Sequence, residues 1–455
     1  RDGWESPKRR ILRDPSCCAR HAAVCVLKRA TMRSFSATSS SPRVRRASSS
    51  WPLGRRTFRS PNAAGAACEQ QQEHEQEKCG QFGVQLLTGY SDAVAALIGE
   101  TNTLEAGDRL TMSIYVMEPG NSTRAVLAAL EAAAGRGVEL NLSCDCGGVS
   151  EFTRWIERTK SEARELKALA ERHKNVSFTP QRIPTHAKYV IFERAHRTST
   201  AIFGGVNIGD RFAHWRDFVV VLSGEAAVGG LREALADAPG TQACCGGAYT
   251  ECLAALPRPA VSFCANHPVA APAFALATGR PLPGNFGLKP ALTALMLDPD
   301  VRHLEVAMAY VDARGAELIE LALKRGVKVS LTLPEHPNVY GSSNTNTLRR
   351  LLEHAEALSG EEPLLTARLH PSMVHAKALI ATRADDSRVA LVGSCNLKRR
   401  SFCQFAELSA FITHEEVTAA LQTELQKLHA EAAPVLSPRS LVSDPIWANL
   451  EEYFG

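Results

Sequence analysis

Two short segments of the chain place a histidine two residues before a lysine at the start of an apolar run. The first is "THAKYVIFE", with His186 and Lys188, and the second is "VHAKALIAT", with His375 and Lys377. A neutral imidazole is a nucleophile near neutral pH, its protonated form is an acid, and an ammonium group neutralises an anion. One such pair is equally typical of a solvated strand edge, but two pairs suit chemistry on a phosphodiester.

The two pairs belong to an internal repeat. His186 and His375 are 189 residues apart, and an acidic residue follows each: Asp217 lies 31 residues after the first and Glu407 lies 32 after the second. The same offset of 189 relates residues 136–138 (RGV) to residues 325–327 (RGV), and Asn207 to Asn396. Matching features in one order at nearly constant spacing indicate a duplicated half.

Alternating strands and helices must position these residues. The segment 109–116 is strand-like, 121–137 carries a helical apolar stripe with Asn121 or Ser122 as its N-cap, and 138–144 alternates apolar and polar residues. The second half repeats this alternation. Strands that alternate with helices indicate a layered α/β fold.

The strand period explains why each histidine is paired with a lysine. Residues i and i+2 of a strand point to the same face, so each His/Lys pair projects together while the following apolar residues anchor the strand. If the halves pack about a pseudo-twofold axis, both pairs meet in one cleft. We expect Asn207, Ser394 and Asn396 to donate further hydrogen bonds to phosphate there.

The motif blocks carry a family resemblance. "HAK…GGVNIGDRF…WRDF" and "HAK…GSCNLKRRSF…FAEL" closely resemble the two catalytic motifs of the phospholipase D superfamily, and "GGVNIGDRFAHWRD" is most similar to bacterial-type cardiolipin synthases. The resemblance covers roughly residues 82–430. It implies an α/β fold of two phospholipase D-like α/β/α halves related by pseudo-twofold symmetry, with the active site between them.

The resemblance also implies residue roles. The reaction passes through a phosphohistidine, with His186 the expected nucleophile and His375 the expected acid, so the two pKa values should be split around neutrality. Asp217 and Glu407 are placed to accept the Nδ1 proton of one histidine each and so fix its tautomer. Neither the residues nor the resemblance indicates a metal or another cofactor.

Two positions depart from the family pattern. The family's usual aspartate, which four residues separate from the lysine, is Glu193 in the first half and Thr382 in the second. We expect Glu193 to act structurally, in a shell behind the catalytic residues. The first half also has Gly205 where the second has Ser394, which predicts one hydroxyl fewer around the phosphate.

Charge is unevenly distributed along the chain. Residues 1–60 hold 15 Lys or Arg against 3 Asp or Glu, which leaves 37 basic and 45 acidic residues and a net charge of −8 in the rest. A body this acidic disfavours nucleic acid as a partner. The 13 cysteines form no CxxC pair and no set with zinc spacing, so they are expected to be reduced thiols.

The composition of the N-terminal segment predicts a targeting signal. Residues 32–60 contain seven Arg, nine Ser and no acidic residue, which is typical of a mitochondrial or plastid transit peptide, with a disordered basic tail as the alternative. The expected organisation is a disordered targeting and linker segment at 1–81, a first phospholipase D-like half at 82–235, a Gly/Ala/Pro-rich linker at 236–285 and a second half at 286–455.

The expected function is transfer of a phosphatidyl group, as in a cardiolipin synthase, on a phospholipid substrate. The alternatives are a phospholipase D-type hydrolase of cardiolipin or phosphatidylglycerol, a nuclease of the same fold, and a lipid-binding protein without activity, which the intact histidines disfavour. No stretch approaches the roughly 20 apolar residues of a membrane span, so we expect peripheral membrane contact.

Overall fold

The computed structural model describes residues 83–144, 157–181, 183–236, 260–270, 275 and 280–454. The segment predicted to be a targeting and linker region, 1–81, lies outside the described residues. We refer to 83–236 as the first half and to 260–454 as the second half.

The first half forms a seven-stranded sheet with helices on both faces. Its strands are β1 (Gly83–Leu87), β2 (Arg109–Ile114), β3 (Glu139–Cys144), β4 (Val176–Pro180), β5 (Tyr189–Glu193), β6 (Thr200–Gly204) and β7 (Val219–Ser223). Its helices are α1 (Tyr90–Asn102), α2 (Asn121–Gly135), α3 (Glu157–Arg172) and α4 (Glu225–Ala236).

The second half forms a nine-stranded sheet. Its strands are β8 (Val261–Pro268), β9 (Gly284–Phe286), β10 (Val301–Met308), β11 (Lys328–Pro334), β12 (Leu365–His370), β13 (Lys377–Arg383), β14 (Arg388–Gly393), β15 (Glu407–Ile412) and β16 (Ala433–Pro434). Its helices are α5 (Leu288–Leu297), α6 (Ala313–Leu323), α7 (Gly341–Leu358), α8 (Arg399–Cys403), α9 (Glu415–Glu431) and α10 (Pro445–Phe454).

The two sheets share one topology. The first has the order β4-β3-β2-β5-β6-β7-β1, and the second has β12-β11-β10-β13-β14-β15-β8, extended by β16 at one edge and β9 at the other. In each, three parallel strands continue into an antiparallel meander. The predicted α/β fold of two related halves is thus what the chain adopts.

Each half has its own apolar core, and a third core is shared between the two halves. Helices α1–α3 cover the outer face of the first sheet, and α5–α7 cover the outer face of the second. The inner faces meet in a shared core that includes Phe203 and Val220 of the first half, Val392 and Ala410 of the second, and Leu421 of α9. Burying apolar surface from both sheets in one core fixes the halves against each other, so a site between them is rigid.

The N-terminus of α2 is capped differently from the sequence-based expectation. Gly120 occupies the N-cap position, and the Asp210 carboxylate accepts hydrogen bonds from the backbone N–H groups of Asn121 and Ser122. The cap therefore comes from a loop about 90 residues further along the chain, which local sequence does not reveal.

The range predicted as a linker, 236–285, contains part of the second sheet. Val261–Pro268 forms β8 and pairs with β15, whereas 237–259, 271–274 and 276–279 lie outside the described residues. The domain boundaries themselves stay a prediction. Among the described residues, no helix is both long enough and apolar enough to span a bilayer.

Candidate active site

The segment that carries His186 is bonded to the second half. The backbone N–H groups of His186 and Ala187 donate to the carbonyl of Ala406, at 2.8 and 3.0 Å, and the N–H of Ala406 donates to the carbonyl of Pro184 at 2.8 Å. Ala406 directly precedes β15. The first histidine is therefore positioned by the backbone that leads into the acidic strand of the other half.

The segment that carries His375 makes the reciprocal contact. The N–H of His375 donates to the carbonyl of Arg216 at 2.8 Å, and the N–H of Arg216 donates to the carbonyl of Met373 at 2.9 Å. These two parallel bridges relate the halves by approximate twofold symmetry. Both histidines consequently lie at the junction of the halves, as the repeat predicted.

The orienting carboxylates are exchanged between the halves. Nδ1 of His186 lies 3.0 Å from Oε2 of Glu407 and 3.0 Å from the carbonyl oxygen of Ser394. Nδ1 of His375 lies 2.6 Å from Oδ2 of Asp217. Because Nδ1 faces an acceptor in each case, Nε2 is the nitrogen available for chemistry.

Gly205 and Ser394 hold these carboxylates in different ways. A Cβ atom at Gly205 would lie 2.2 Å from Oδ1 of Asp217, so the carboxylate fills the space that a side chain would need. At the equivalent place, the hydroxyl of Ser394 donates to Oε2 of Glu407 at 2.5 Å and accepts from the N–H of Leu408 at 3.0 Å. The hydroxyl predicted to contact phosphate is thus engaged with the orienting carboxylate in this structure.

Both lysines lie in the same buried junction. Nζ of Lys188 donates to the carbonyl of His186 at 2.6 Å, and Nζ of Lys377 donates to the carbonyl of His375. Nζ of Lys377 also lies 2.9 and 3.0 Å from the two ring nitrogens of His375. None of the four residues is more than 7% exposed, so the predicted pairs are gathered in one enclosed site.

Aromatic rings form the walls around each imidazole. Tyr115 meets His186 edge-on at 4.9 Å between ring centroids, and Phe405 stacks on the same imidazole at 5.9 Å. Trp215 lies 4.8 Å from the ring of His375. These rings restrict the orientation of the imidazoles and keep water away from them.

Burial controls the ionisation of both histidines. Desolvation, followed by the charge of Lys188, lowers the pKa of His186 well below its usual value. Desolvation and the charge of Lys377 lower the pKa of His375 to about 3, although Asp217 opposes this shift. Both imidazoles are therefore neutral at pH 7, and the two pKa values are not split around neutrality by the protein groups alone.

Burial also shifts the pKa values of the charged groups toward pH 7. It lowers the pKa of Lys188 to about 7, with help from the charge of Lys377, and it lowers the pKa of Lys377 to about 8. It raises the pKa of Glu407 to about 7. A bound phosphodiester anion would reverse the lysine shifts, because an opposite charge nearby favours the protonated form.

The two predicted phosphate-binding asparagines have different environments. Oδ1 of Asn207 accepts from the N–H of Val116, at the end of the central strand of the first half. In the second half Oδ1 of Asn344 accepts from the N–H of Val311, which is the counterpart of Met117. Asn396 is fully buried, and among the described residues neither atom of its side-chain amide has a hydrogen-bond partner. Its amide is thus available to a ligand.

The structure does not bring Glu193 to this site. Its carboxylate pairs with Arg232 at 2.5 Å and lies 3.9 Å from Arg109. Glu193 ends β5, and five residues of extended strand separate it from Lys188 by roughly 17 Å. Its contacts with Arg109 and Arg232 stabilise the end of β5 that lies away from the site.

One cation beside the site was not found in the sequence-based analysis. Lys398 is only 7% exposed and lies 5.3 Å from the ring of Phe405, which itself stacks on His186. Its charge contributes to the lowered pKa of His186. An available signal was the difference between the halves, because the repeat offset places Gly209 opposite Lys398.

Comparisons with known proteins agree with this architecture. Residues 301–429 match the family described as "Cardiolipin synthase, PLD-like domain". The fold is similar to that of phosphatidylserine synthase from Haemophilus influenzae Rd KW20, with a TM-score of 0.57 and 15% sequence identity, over 79% of this chain and 89% of that one. Residues 301–429 therefore carry a phospholipase D-like domain. The resemblance to cardiolipin synthases that the sequence indicates is confirmed for residues 301–429.

Other likenesses of this phospholipase D-like chain are weaker. Polyphosphate kinase from Porphyromonas gingivalis gives a TM-score of 0.47 at 12% identity, over 76% of this chain and 46% of that one. The phospholipase D family member Nuc from Salmonella typhimurium gives 0.28 at 14% identity, over 39% of this chain and 99% of that one. Neither supports an inference. Among curated proteins, no sequence matches the chain significantly.

Proposed function

We propose that the protein is a phosphatidyltransferase that acts on phospholipids through a phosphohistidine, as a cardiolipin synthase does. The observation that carries the proposal is the crossed arrangement of the site: two buried His/Lys pairs, each histidine held by the acidic residue of the other half. Such a site supplies two imidazoles and two ammonium groups to one tetrahedral anion. The family match at 301–429 supports an enzyme of this superfamily.

In the first step, Nε2 of neutral His186 attacks phosphorus, and the bond from phosphorus to the leaving alcohol breaks. His375, which takes up a proton when the phosphodiester binds, donates that proton from Nε2 to the leaving oxygen. Lys188 and Lys377 neutralise the charge that develops on the non-bridging oxygens, which counts most in a buried site where water cannot screen it.

In the second step, the acceptor alcohol loses its proton to His375 while its oxygen attacks phosphorus. The phosphorus–nitrogen bond breaks, and neutral His186 is restored. The two steps use the same groups in reverse order, so atoms and protons balance over one turnover.

The electrostatic asymmetry supports His186 as the nucleophile. Asp217 opposes the downward pKa shift of His375 through its charge and its hydrogen bond, so His375 takes up a proton more readily once a phosphodiester binds. Glu407, beside His186, has its own pKa raised to about 7 and is partly neutral at that pH. His186 therefore stays unprotonated, as a nucleophile must.

The direct test is to follow the products of labelled phosphatidylglycerol by mass spectrometry. Wild-type protein should yield cardiolipin and free glycerol, and should exchange added labelled glycerol into phosphatidylglycerol. His186→Ala and His375→Ala should each abolish both products while thermal unfolding stays within a few degrees of wild type, since the two-step reaction needs both imidazoles.

Other products would identify the rival functions. Phosphatidic acid with no exchange of glycerol would indicate a hydrolase, and cleavage of single-stranded DNA with no lipid turnover would indicate a nuclease. A single-histidine variant with near-normal turnover would disprove the paired mechanism. We favour transfer over hydrolysis because the family that residues 301–429 match is described as a cardiolipin synthase domain.

We further propose that the protein reaches its substrate as a peripheral membrane protein. This follows from the lipid substrate proposed above. Sedimentation with phosphatidylglycerol vesicles at low and high salt tests it. Failure to sediment at either salt concentration would exclude a stable membrane-bound state.

A further inference from the structure

Lys398 is a buried cation whose charge acts on Asp312 and Glu407 only from a distance. Its side chain is 7% exposed, and its Nζ donates to the phenol oxygen of Tyr340 at 2.9 Å. Among the described residues, no carboxylate lies within salt-bridge distance of this Nζ. Burying an ammonium group without a counter-charge is costly, and such groups are normally paired or supplied with an anion.

Aromatic rings surround the ammonium group and connect it to both histidines. Nζ of Lys398 lies 4.0 Å from the ring centroid of Tyr340, 5.3 Å from that of Phe405 and 5.6 Å from that of Tyr310. Phe405 stacks on His186, and the ring of Tyr310 lies 6.3 Å from that of His375. Lys398 therefore lies next to the reacting centre without contacting either imidazole.

The backbone of Tyr340 is held in an unfavourable conformation at this place. Its φ angle is 61°, in the left-handed region that bulky residues rarely adopt. Tyr340 occupies the N-cap position of α7 but supplies no side-chain cap to it. Strain of this kind persists where the surroundings impose it, often at ligand sites, and here it directs the phenol toward Lys398.

A narrow recess opens beside these groups. Tyr310, Tyr340, Lys398 and Arg400 line it, together with the acidic residues Asp312 and Glu452. Oε1 of Glu452 accepts a hydrogen bond from the N–H of Ala313 at 3.3 Å. The Asp312 carboxylate caps α6 and accepts three backbone N–H groups, so it is engaged within the protein. Phenol, ammonium and guanidinium groups that share one recess are the donors that recognise phosphate or carboxylate.

The two halves differ at this place. The repeat offset of 189 places Gly209 opposite Lys398, and the ring of Tyr340 comes from a segment outside the duplicated motifs. In the first half the cation beside the corresponding ring, Trp215, is Arg211, which pairs with Glu118. The duplicated His/Lys centre is thus symmetric, whereas the cations beside it differ, and such a difference suits a substrate whose two ends differ.

We infer that Lys398, with Tyr340 and Arg400, forms a second anion subsite that binds an acidic group carried by the substrate next to the reacting phosphodiester. This inference rests on the proposed function and specifies its substrate class: phospholipids or acceptor alcohols with a second phosphate or a carboxylate. The acidic group belongs either to the leaving headgroup of the donor or to the acceptor, and the experiment separates the two sources.

The test compares Lys398→Met with Lys398→Arg, and with Lys289→Met as a matched control. Lys289 also lies near an aromatic ring, that of Phe402, but is partly exposed and close to Glu317. In the acceptor arm, phosphatidylglycerol is the donor and the KM values for glycerol and glycerol 3-phosphate are compared. In the donor arm, glycerol is the acceptor and phosphatidylserine is compared with phosphatidylcholine.

The expected result is selective. Losing one charge-assisted hydrogen bond should lower kcat/KM by about 10- to 100-fold for the acidic member of one arm and by less than about threefold for its neutral counterpart. The arm that responds identifies the source of the acidic group. Lys398→Arg should restore part of the loss, and Lys289→Met should change nothing. An equal loss for acidic and neutral substrates in both arms would overturn the inference.

A binding measurement separates this inference from the proposed function. Glycerol 3-phosphate should raise the melting temperature of the wild-type protein and of Lys289→Met, but not that of Lys398→Met, whether or not the protein turns over phospholipid. Without ligand, Lys398→Met should melt at or above the wild-type temperature, since a buried unpaired charge has been removed. A Lys398→Met variant that melts lower and still responds to glycerol 3-phosphate would make Lys398 a structural residue.

Discussion

Oδ2 of Asp217, in the first half, lies 2.6 Å from Nδ1 of His375, in the second half. The reciprocal contact joins Glu407 to His186 at 3.0 Å. Neither half therefore holds a complete catalytic unit, because each contributes a histidine that only the other half can orient. The motif repeat accordingly describes one site assembled from two incomplete halves.

Replacing each carboxylate by its amide should separate the two chemical roles. We expect Asp217→Asn to lower kcat with phosphatidylglycerol by about 10²- to 10⁴-fold, since the imidazole loses its tautomer and the stabilisation of its proton. A phosphatidyl p-nitrophenol donor should recover most of this loss in the first step, because p-nitrophenolate leaves without a proton. Burst kinetics of p-nitrophenol release provide the measurement.

Glu407→Gln is the matched comparison for Asp217→Asn. Glu407 orients His186, so the amide variant should lose the burst with both donors. If both variants recovered equally with p-nitrophenol, the assignment of His186 as nucleophile and His375 as acid would be wrong.

The pH dependence of kcat/KM should show a narrow maximum near pH 7. Lys188 and Lys377, with pKa values of about 7 and 8, lose their protons and their attraction for phosphate as the pH rises. Glu407, with a pKa of about 7, gains a proton as the pH falls and ceases to orient His186 by charge. kcat/KM reports the ionisations of the free enzyme, so it is the parameter to measure.

Lys188→Arg identifies the alkaline limb, because arginine does not lose its proton in this range. Activity in this variant should persist to higher pH than in the wild type, with the remaining decline due to Lys377. A wild-type kcat/KM that stays flat from about pH 6 to 9 would contradict the burial of these charges.

Alanine substitution should lower stability at Asn207 and weaken substrate binding at Asn396. Asn207→Ala leaves the N–H of Val116 without its acceptor, so the free energy of unfolding should fall by about 1–3 kcal/mol. Asn396→Ala removes an amide that has no partner among the described residues, so stability should change little while KM for the phospholipid rises. Urea denaturation and steady-state kinetics on both variants check this.

If the effects on stability and on KM were exchanged between the two variants, the roles of the two residues would be exchanged as well. A large stability loss in Asn396→Ala with unchanged KM would make it a structural residue. Asn344→Ala provides the control, since its amide bonds the backbone of Val311 and Ala309 just beyond a central strand and its loss should likewise lower stability.

The sequence was sufficient to predict the fold class and the His/Lys pairs, because both depend on local patterns: strand alternation and a constant repeat offset. The exchange of carboxylates depends on how the halves pack, and it joins residues 158 and 221 positions apart. Lys398 and Asn344 could not be found by matching the halves, since each lies where the duplicated sequences differ. Comparing the halves for differences is thus as informative as comparing them for likeness.

The basic N-terminal segment leads to a proposal about location. We propose that residues 32 to about 75 direct import into a mitochondrion or plastid, given seven Arg and no acidic residue in 32–60. Residues 32–80 fused to a fluorescent protein should produce organellar fluorescence and a shortened band on a gel. A fusion in which all Arg of 32–60 are changed to Gln serves as the control. An uncleaved fusion at the plasma membrane would instead indicate an electrostatic lipid anchor.

Gly205 should tolerate no side chain, although it is not a catalytic group. A Cβ atom there would lie 2.2 Å from Oδ1 of Asp217, a carboxylate that is buried and bonded to His375 and so has little room to move. We expect Gly205→Ala to displace Asp217 and to lower kcat by about 10- to 100-fold, part of the effect of losing the orienting carboxylate. Steady-state kinetics and thermal unfolding provide the measurement.

Gly229→Ala is the matched control. Gly229 lies in α4, and no atom lies within 4 Å of a Cβ added there. Alanine at this position should stabilise the helix by up to about 1 kcal/mol without affecting turnover. Combining Gly205→Ala with Asp217→Asn should cost no more activity than Asp217→Asn alone, since both changes act through the same contact. Additive losses in the double variant would show that Gly205 affects catalysis by a route that does not involve Asp217.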